Sequence, residues 1–278
     1  MRVFGYMRFS YAGQSDARAS RTGQPIEEVA QALYEPRRME RRFFLFENLC
    51  LPSIAAQKNK NFRLVILASK IMPDVFKDRL AEMTAAVPQI EIIYGDGQHV
   101  TDVFNPWMQE QVAGIEGPTA HFRLDDDDAI GQNMTARLEA ATALAPLVRI
   151  VTYPSGLYLS HQEGESYLLR EYFPNIGIGM AFLNMPGQIQ NPYQCQHVAV
   201  SRSSPTFSDP VPLAYIHTAH ASSDTLGRQA IKFRKMLAAA HDRDEPGNLK
   251  RIRVGLKQEF PGVTIEALKA LIAQASAI

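Results

Sequence analysis

Apolar and polar positions along this chain fall into blocks whose period changes from strand-like to helix-like and back. Val3 to Met7 is a short apolar strand that runs into Arg8-Phe9-Ser10, and residues 11–36, rich in Gly, Ser, Ala and polar groups, predict a loop over the sheet edge with weak helical content. From Arg37, apolar residues recur at Met39, Phe43, Phe46 and Cys50, one face of an amphipathic helix that Pro52 is expected to end. Phe62 to Ala68 is a continuous, branched apolar run, the pattern of a central parallel strand. Pro73 opens a helix with the stripe Phe76, Leu80, Met83 and Val87, and Ile90 to Tyr94 is a third strand stopped by Gly95-Asp96-Gly97. His121 to Leu124 is the fourth strand. Met134 to Leu144 reads as a helix with Asn133 or Thr135 as N-cap, and Val148 to Tyr153 as the next strand. This alternation predicts a doubly wound, mostly parallel α/β sheet with right-handed crossovers, which binds ligands outside the carboxyl ends of its strands.

After residue 155 the rhythm changes. Leu157-Tyr158-Leu159 and Tyr167-Leu168-Leu169 flank the polar turn His161 to Glu165 as an antiparallel hairpin, and Ile176 to Leu183 is another strand. Residues 187–212 carry four prolines and predict a loop-rich cleft wall; helical signals return at Leu226 to Leu237 and at Ile265, Leu268 and Leu271/Ile272. With no repeat or linker, the chain reads as one domain over 1–278: a nucleotide-binding half (1–155), an acceptor-side half (156–225) and C-terminal helices (226–278).

Composition narrows the function more than the fold. The 278 residues are 46% hydrophobic and 21% charged, an ordinary globular balance, and 29 basic residues against 29 acidic ones argue against a duplex-nucleic-acid binder that relies on bulk charge. Cys50 and Cys195 have no metal-ligand spacing and cannot staple a chain of this size; Cys50 reads as a core residue. The start lacks a long apolar segment and the longest apolar run, Leu64 to Ala68, is too short to span a bilayer, so the expectation is a cytoplasmic protein without a transmembrane segment.

The chemistry concentrates in four consecutive aspartates, Asp125 to Asp128, at the carboxyl end of the fourth strand. Adjacent carboxylates repel one another, and a hard cation such as Mn²⁺ or Mg²⁺ makes such a run favourable by taking one or two carboxylates and completing its shell with water and phosphate oxygens. On extended backbone, alternation puts Asp125 and Asp127 on one face and Asp126 and Asp128 on the other. The plainer alternative is a solvated acidic turn with a helix-capping aspartate. Ala129 and Ile130 exclude an EF-hand loop. A haloacid-dehalogenase-type phosphohydrolase also places D-x-D after an apolar strand, usually the first one, and stands as the rival enzyme class.

Arg123-Leu124-Asp125-Asp126-Asp127-Asp128-Ala129, set after three strand–helix units, resembles the D-x-D segment of GT-A glycosyltransferases. More closely, the chain resembles the putative rhamnosyltransferase family, through Met7-Arg8-Phe9-Ser10, Pro52-Ser53, Gln57, Asn61-Phe62, the aspartate segment and Ile216-His217-Thr218-Ala219-His220. The resemblance implies a GT-A-like (Rossmann-like) fold and transfer of a sugar, with dTDP-rhamnose as the candidate donor, to a hydroxyl of a glycan or other acceptor. A sugar-nucleotide-binding protein without turnover is the third reading.

The resemblance also assigns site residues. The end of the first strand meets the nucleotide base in GT-A enzymes, so Phe9 is a stacking candidate and Arg8 and Ser10 are candidates for base or phosphate; Ser69 and Lys70 end the second strand in a similar position. Asp125 and Asp126 join Arg123 as donor-binding candidates, Arg123 orienting a carboxylate or touching phosphate. The metal set is Asp125, Asp127 and a downstream histidine, His220 matching better than His217. Arg228, Lys232, Arg234 and Lys235 are either a solvated helix face or a screen for the leaving diphosphate. An inverting transfer needs a base, and the usual acid after Gly177 to Phe182 is missing: Gln194, Gln196 and His197 stand there, Asp209 follows, and Glu163, Glu165 and Glu171 precede. His197 and Asp209 are the catalytic candidates.

Overall fold

The computed structural model describes residues 1–14, 24–194, 196–220 and 246–278. The expected helix over Leu226 to Leu237, the basic residues Arg228, Lys232, Arg234 and Lys235, and Cys195 lie outside them.

A seven-stranded sheet forms the centre, in the order β10-β6-β9-β4-β1-β2-β3. Its strands are β1 (Val3–Arg8), β2 (Phe62–Ser69), β3 (Ile90–Gly95), β4 (Thr119–Arg123), β6 (Ile150–Thr152), β9 (Ala181–Asn184) and β10 (Thr206–Ser208). β3, β2, β1 and β4 run parallel. The apolar run of β2 has a two-sided cause: Leu64, Ile66 and Ala68 pack with Phe43 and Phe46 on one face, whereas Val65 and Leu67 pack with Phe104 and Trp107 on the other. A central strand covered on both faces has no polar side to display.

The sheet is mixed beyond β4. β9 inserts antiparallel between β4 and β6, so the sheet is mostly rather than wholly parallel. The strand expected over 176–183 begins only at Ala181, because Asn175 (φ 58°) and Gly179 (φ 70°) take left-handed backbone and break the extended run. The expectation of a mostly parallel central sheet flanked by helices holds.

Four helical segments depart from expectation. α1 (Ile26–Leu33) orders part of the expected loop. α2 (Pro36–Leu45) passes through a π turn, Phe46–Cys50, into α3 (Leu51–Ala55), so Pro52 does not end the helix. It falls at the second position of α3, directly after the π turn, where the helical ladder is already widened. α4 (Asp74–Thr84) follows β2 as expected, but α5 (Val100–Val112) had no sequence assignment. Its buried residues Val100, Phe104, Trp107 and Met108 keep helical spacing, with Pro106 obscuring it. α6 (Met134–Ala141) follows the aspartates.

A second sheet has the order β5-β11-β7-β8, built from β5 (Ala129–Ile130), β7 (Ser155–Gln162), β8 (Glu165–Tyr172) and β11 (Tyr215–Ala219). β7 and β8 are the expected hairpin, closed by Glu163 (φ 53°) and Gly164 (φ 82°), the two positive φ values of a tight two-residue turn. α7 (Pro246–Glu259) and α8 (Ile265–Ala277) cover this sheet: Leu256, Leu268 and Ile272 pack on Leu157, Leu159 and Ile216. The opposite face carries Tyr158, Glu171 and His217. Among the described residues, no helix is long and apolar enough to cross a membrane.

Candidate active site

The four aspartates form a turn, not an extended strand. The Asp128 amide donates to the Asp125 carbonyl at 3.2 Å, so the alternation argument does not describe the backbone. The tight turn still separates the side chains by environment. Asp126 and Asp128 are buried at 1% and 4% exposure, while Asp125 and Asp127 keep partial access to solvent.

Each carboxylate has its own partner. Arg123 grips Asp125 with Nε–Oδ1 at 3.1 Å and Nη2–Oδ2 at 2.8 Å. Burial works against ionisation of Asp125, but the Arg123 charge and hydrogen bonds hold its carboxyl below the usual range. Arg42, from α2, forms a buried ion pair with Asp126. Burial nevertheless pushes Asp126 up to about 6. His220 Nε2 meets Asp127 Oδ2 at 2.9 Å. Burial would raise Asp127, and the His220 hydrogen bond and the Arg42 charge outweigh it, leaving the group below the ordinary range. Asp128 accepts from the Thr218 amide at 2.9 Å, and burial with its acidic neighbours pushes it well up. Strand β11 thereby clamps the turn: Thr218 Oγ1 also donates to the Asp127 carbonyl at 2.9 Å.

Among the described residues, no three His, Cys, Asp or Glu side chains converge as a ready metal cage. Mg²⁺ and Mn²⁺ do not need one, since they keep waters and take substrate phosphates. Two donors on one octahedral ion lie about 3 Å apart, and the Asp127–His220 separation of 2.9 Å fits that spacing. Asp125 is less suited, because Arg123 occupies both its oxygens.

The other sequence candidates divide sharply. Arg8 and Arg123 lie over the ring of Tyr193 at 5.1 and 4.8 Å, and the Arg8 charge reaches Asp125. Among the described residues Arg8 has no ion-pair partner, and its Nε is buried without a hydrogen bond. Phe9 offers no stacking face: it is fully buried, 5.0 Å from Phe43 and 5.3 Å from Phe46. Ser10 accepts from Arg38 at 3.1 Å, and Ser69 accepts from the Ala12 amide at 2.8 Å, so both tie loops to the strand ends. Lys70 pairs with Asp96 at the exposed surface. Asp126, a donor-binding candidate by sequence, is turned inward to Arg42.

Of the two catalytic candidates, His197 comes to the site. Its ring lies beside Gly177 and feels the charges of Arg123, Asp125 and His217; its Nδ1 donates to the Asn175 carbonyl at 2.7 Å. Burial lowers its pKa. Asp209 lies elsewhere: it caps the Val211 amide at 3.0 Å, and the groups that feel its charge are Arg137 and Tyr153. Sequence reading passed over Arg42, Tyr193 and Thr218. Arg42 carried a usable signal, a charge on the buried side of an amphipathic helix, which demands a partner. Tyr193 sits in a loop-rich stretch and carried none.

Fold and site define a mixed α/β protein with an acidic turn at the carboxyl edge of its parallel strands. A family model described as Putative rhamnosyl transferase matches residues 2–232, and the chain belongs to that family. No curated protein matches it. Among solved structures, S. aureus TarS is similar at 10% identity and a TM-score of 0.38, over 79% of this chain and 37% of that one. TarS 1-349 matches over 99% of this chain and 70% of its own length at 10% identity and a TM-score of 0.38. TarS 1-349 in complex with UDP matches with the same coverage at 11% identity and a TM-score of 0.42. The chain thus spans little more than a third of the first of these structures.

Proposed function

We propose that the protein is a Mn²⁺- or Mg²⁺-dependent glycosyltransferase that moves rhamnose from a nucleoside-diphosphate sugar, dTDP-rhamnose being the first candidate, to an acceptor hydroxyl with inversion. The observation that carries this reading is the partly exposed Asp127 paired with His220, at the edge where an α/β sheet takes its ligand. In this reading residues 1–155 supply the donor side and 156–225 the acceptor side.

A divalent cation held by Asp127 and His220 would neutralise charge on the leaving diphosphate. The chain's own part is positioning. Arg8, stacked over Tyr193 at the end of β1, has a buried Nε without a partner to offer a phosphate or base. Arg123 keeps Asp125 ionised and fixed. The clamp from Thr218 holds the turn in one shape, so no reorganisation is needed when donor arrives. A phosphohydrolase would need a free aspartate nucleophile, whereas the first acid of the run is held on both oxygens.

Thermal-shift measurements with UDP, dTDP and GDP, with and without Mn²⁺, test the reading. The expected result is stabilisation by one nucleotide that requires the metal and disappears in Asp127→Asn. Stabilisation by none of them would overturn it. Donor cleavage by the stabilised protein then separates a transferase from a binder.

A further inference from the structure

The second sheet carries a buried acid–base pair that the donor side does not use. Glu171 on β8 is 4% exposed, and its carboxylate accepts from His217 Nδ1 at 3.1 Å. The two residues belong to strands on opposite sides of β7, Glu171 opposite Gly156 and His217 opposite Tyr158. Gly156 between them makes room for the Tyr215 ring, which a Cβ there would meet at 2.3 Å. The Tyr215 hydroxyl donates to the Pro154 carbonyl at 3.1 Å and lies beside the Glu171 carboxylate as well. With the proton of a neutral ring fixed on Nδ1, its lone pair stands on Nε2. The His217 side chain keeps 18% of its surface exposed. Its charge is felt at His197, which in turn feels Asp125 and Arg123, and its neighbour Thr218 bonds the acidic turn directly.

We propose that His217, held by Glu171, is the base of the transfer reaction. This rests on the transferase reading above. The acceptor hydroxyl gives its proton to Nε2 while its oxygen bonds to the anomeric carbon. The bond from that carbon to the diphosphate oxygen breaks, and its electron pair leaves with the nucleoside diphosphate. Glu171 stabilises the imidazolium, which returns its proton to water. His197 is the weaker base for a physical reason: its Nδ1 partner is a neutral backbone carbonyl, and burial disfavours the cation it would become. Glu171 is a positioning residue, acting through the ring.

The test measures dTDP release from dTDP-rhamnose with Mn²⁺, water serving as acceptor. His217→Gln should lower turnover by roughly 10²–10⁴-fold while Mn²⁺-dependent stabilisation by dTDP stays at the wild-type value. His197→Gln should lose much less. The ionisable groups facing His217 are Glu171 from β8 and Tyr158 from β7, with His197 and Asp128 beyond. Glu171→Gln should lower turnover while Mn²⁺-dependent stabilisation by dTDP stays at the wild-type value. A merely structural pair would lose the two together. Added imidazole should restore part of the rate to His217→Ala. Full turnover in His217→Gln, or turnover lost together with dTDP binding, overturns the proposal. If wild-type protein binds no nucleotide with Mn²⁺, the transferase reading fails instead. Nitrogen NMR of the ring gives a readout independent of turnover: at mildly alkaline pH Nε2 must carry no proton, and a protonated Nε2 overturns the assignment.

Discussion

β4 carries the aspartates, and it also carries a buried histidine that couples the strand to pH. His121 is fully buried, between the Tyr6 hydroxyl at 2.7 Å and Thr119 Oγ1 at 2.8 Å, with its ring stacked on Phe4 at 5.3 Å. A neutral imidazole has one donor and one acceptor, and the two hydroxyls match them in either tautomer. Charging the ring would force both hydroxyls to accept and leave their own protons without a place. Burial lowers the His121 pKa from its ordinary 6.5 to about 3. Between these values the unfolded chain binds a proton that the folded one does not, so stability is complete above 6.5 and falls as pH drops toward 3. The loss from this one group is roughly 2 kcal/mol at pH 5 and roughly 5 kcal/mol by pH 3.

His121→Phe isolates the effect. The phenyl ring keeps the stack but orphans two hydroxyls, so the variant should be less stable at neutral pH by about 2–4 kcal/mol. It has no proton to gain. Urea unfolding at pH 7 and pH 5 should show the gap between the two proteins narrowing by roughly 2 kcal/mol, because every other titrating group is common to both and cancels. Parallel stability curves over that range would refute the reasoning, as would an NMR titration of His121 with a midpoint near the ordinary value.

Three further outcomes are expected. Arg8→Gln should weaken Mn²⁺-dependent nucleotide binding roughly tenfold, the size of one charge-assisted hydrogen bond, with little change in Tm, since among the described residues Arg8 makes no ion pair; unchanged affinity in calorimetry would remove Arg8 from the site. Phe9→Ala should cost about 3–5 kcal/mol in denaturant unfolding, because the ring fills the space between Phe43 and Phe46. Nucleotide affinity per folded molecule should not move, and a selective loss of affinity would restore the stacking role. Gly179→Ala should cost about 1–3 kcal/mol through its positive φ, and a Cβ there would press on Met134 Cε at 2.7 Å; an unchanged unfolding midpoint would show the loop over Arg123 to be looser than its geometry.

The parallel half of the sheet was legible because each of its strands is buried on both faces or ends at a clear turn, as Leu64 to Ala68 and Gly95-Asp96-Gly97 do. What escaped was non-local. β9 reads as a strand in sequence, but its antiparallel insertion is decided by pairing with β4 and β6, which leaves no local trace. α5 was hidden by Pro106, whose local penalty is outweighed by burying Phe104 and Trp107 against β1 and β2. In the site, residue type identified the acids and histidines but not their orientation. Phe9 and Ser10 are adjacent to Arg8, yet the strand pleat and the positive φ of Ser10 turn both away from it into packing roles.

The aspartate run shows why residue type alone did not suffice. Four adjacent carboxylates look like four repelling charges that need a cation, but the turn gives each a separate environment. Arg123 and His220 keep Asp125 and Asp127 ionised where solvent reaches them, and burial makes Asp126 and Asp128 hold protons more readily. Much of the repulsion is therefore removed by the fold itself. Asp126 and Asp128 serve as anchors, one to α2 through Arg42 and one to β11 through Thr218. They fix the height and angle at which Asp127 meets His220. In the proposed transferase, a need for metal would come less from relieving the run than from the ligand: a diphosphate approaching an ionised Asp127 is repelled unless a cation stands between them. It follows that nucleotide binding, far more than folding, should depend on the metal.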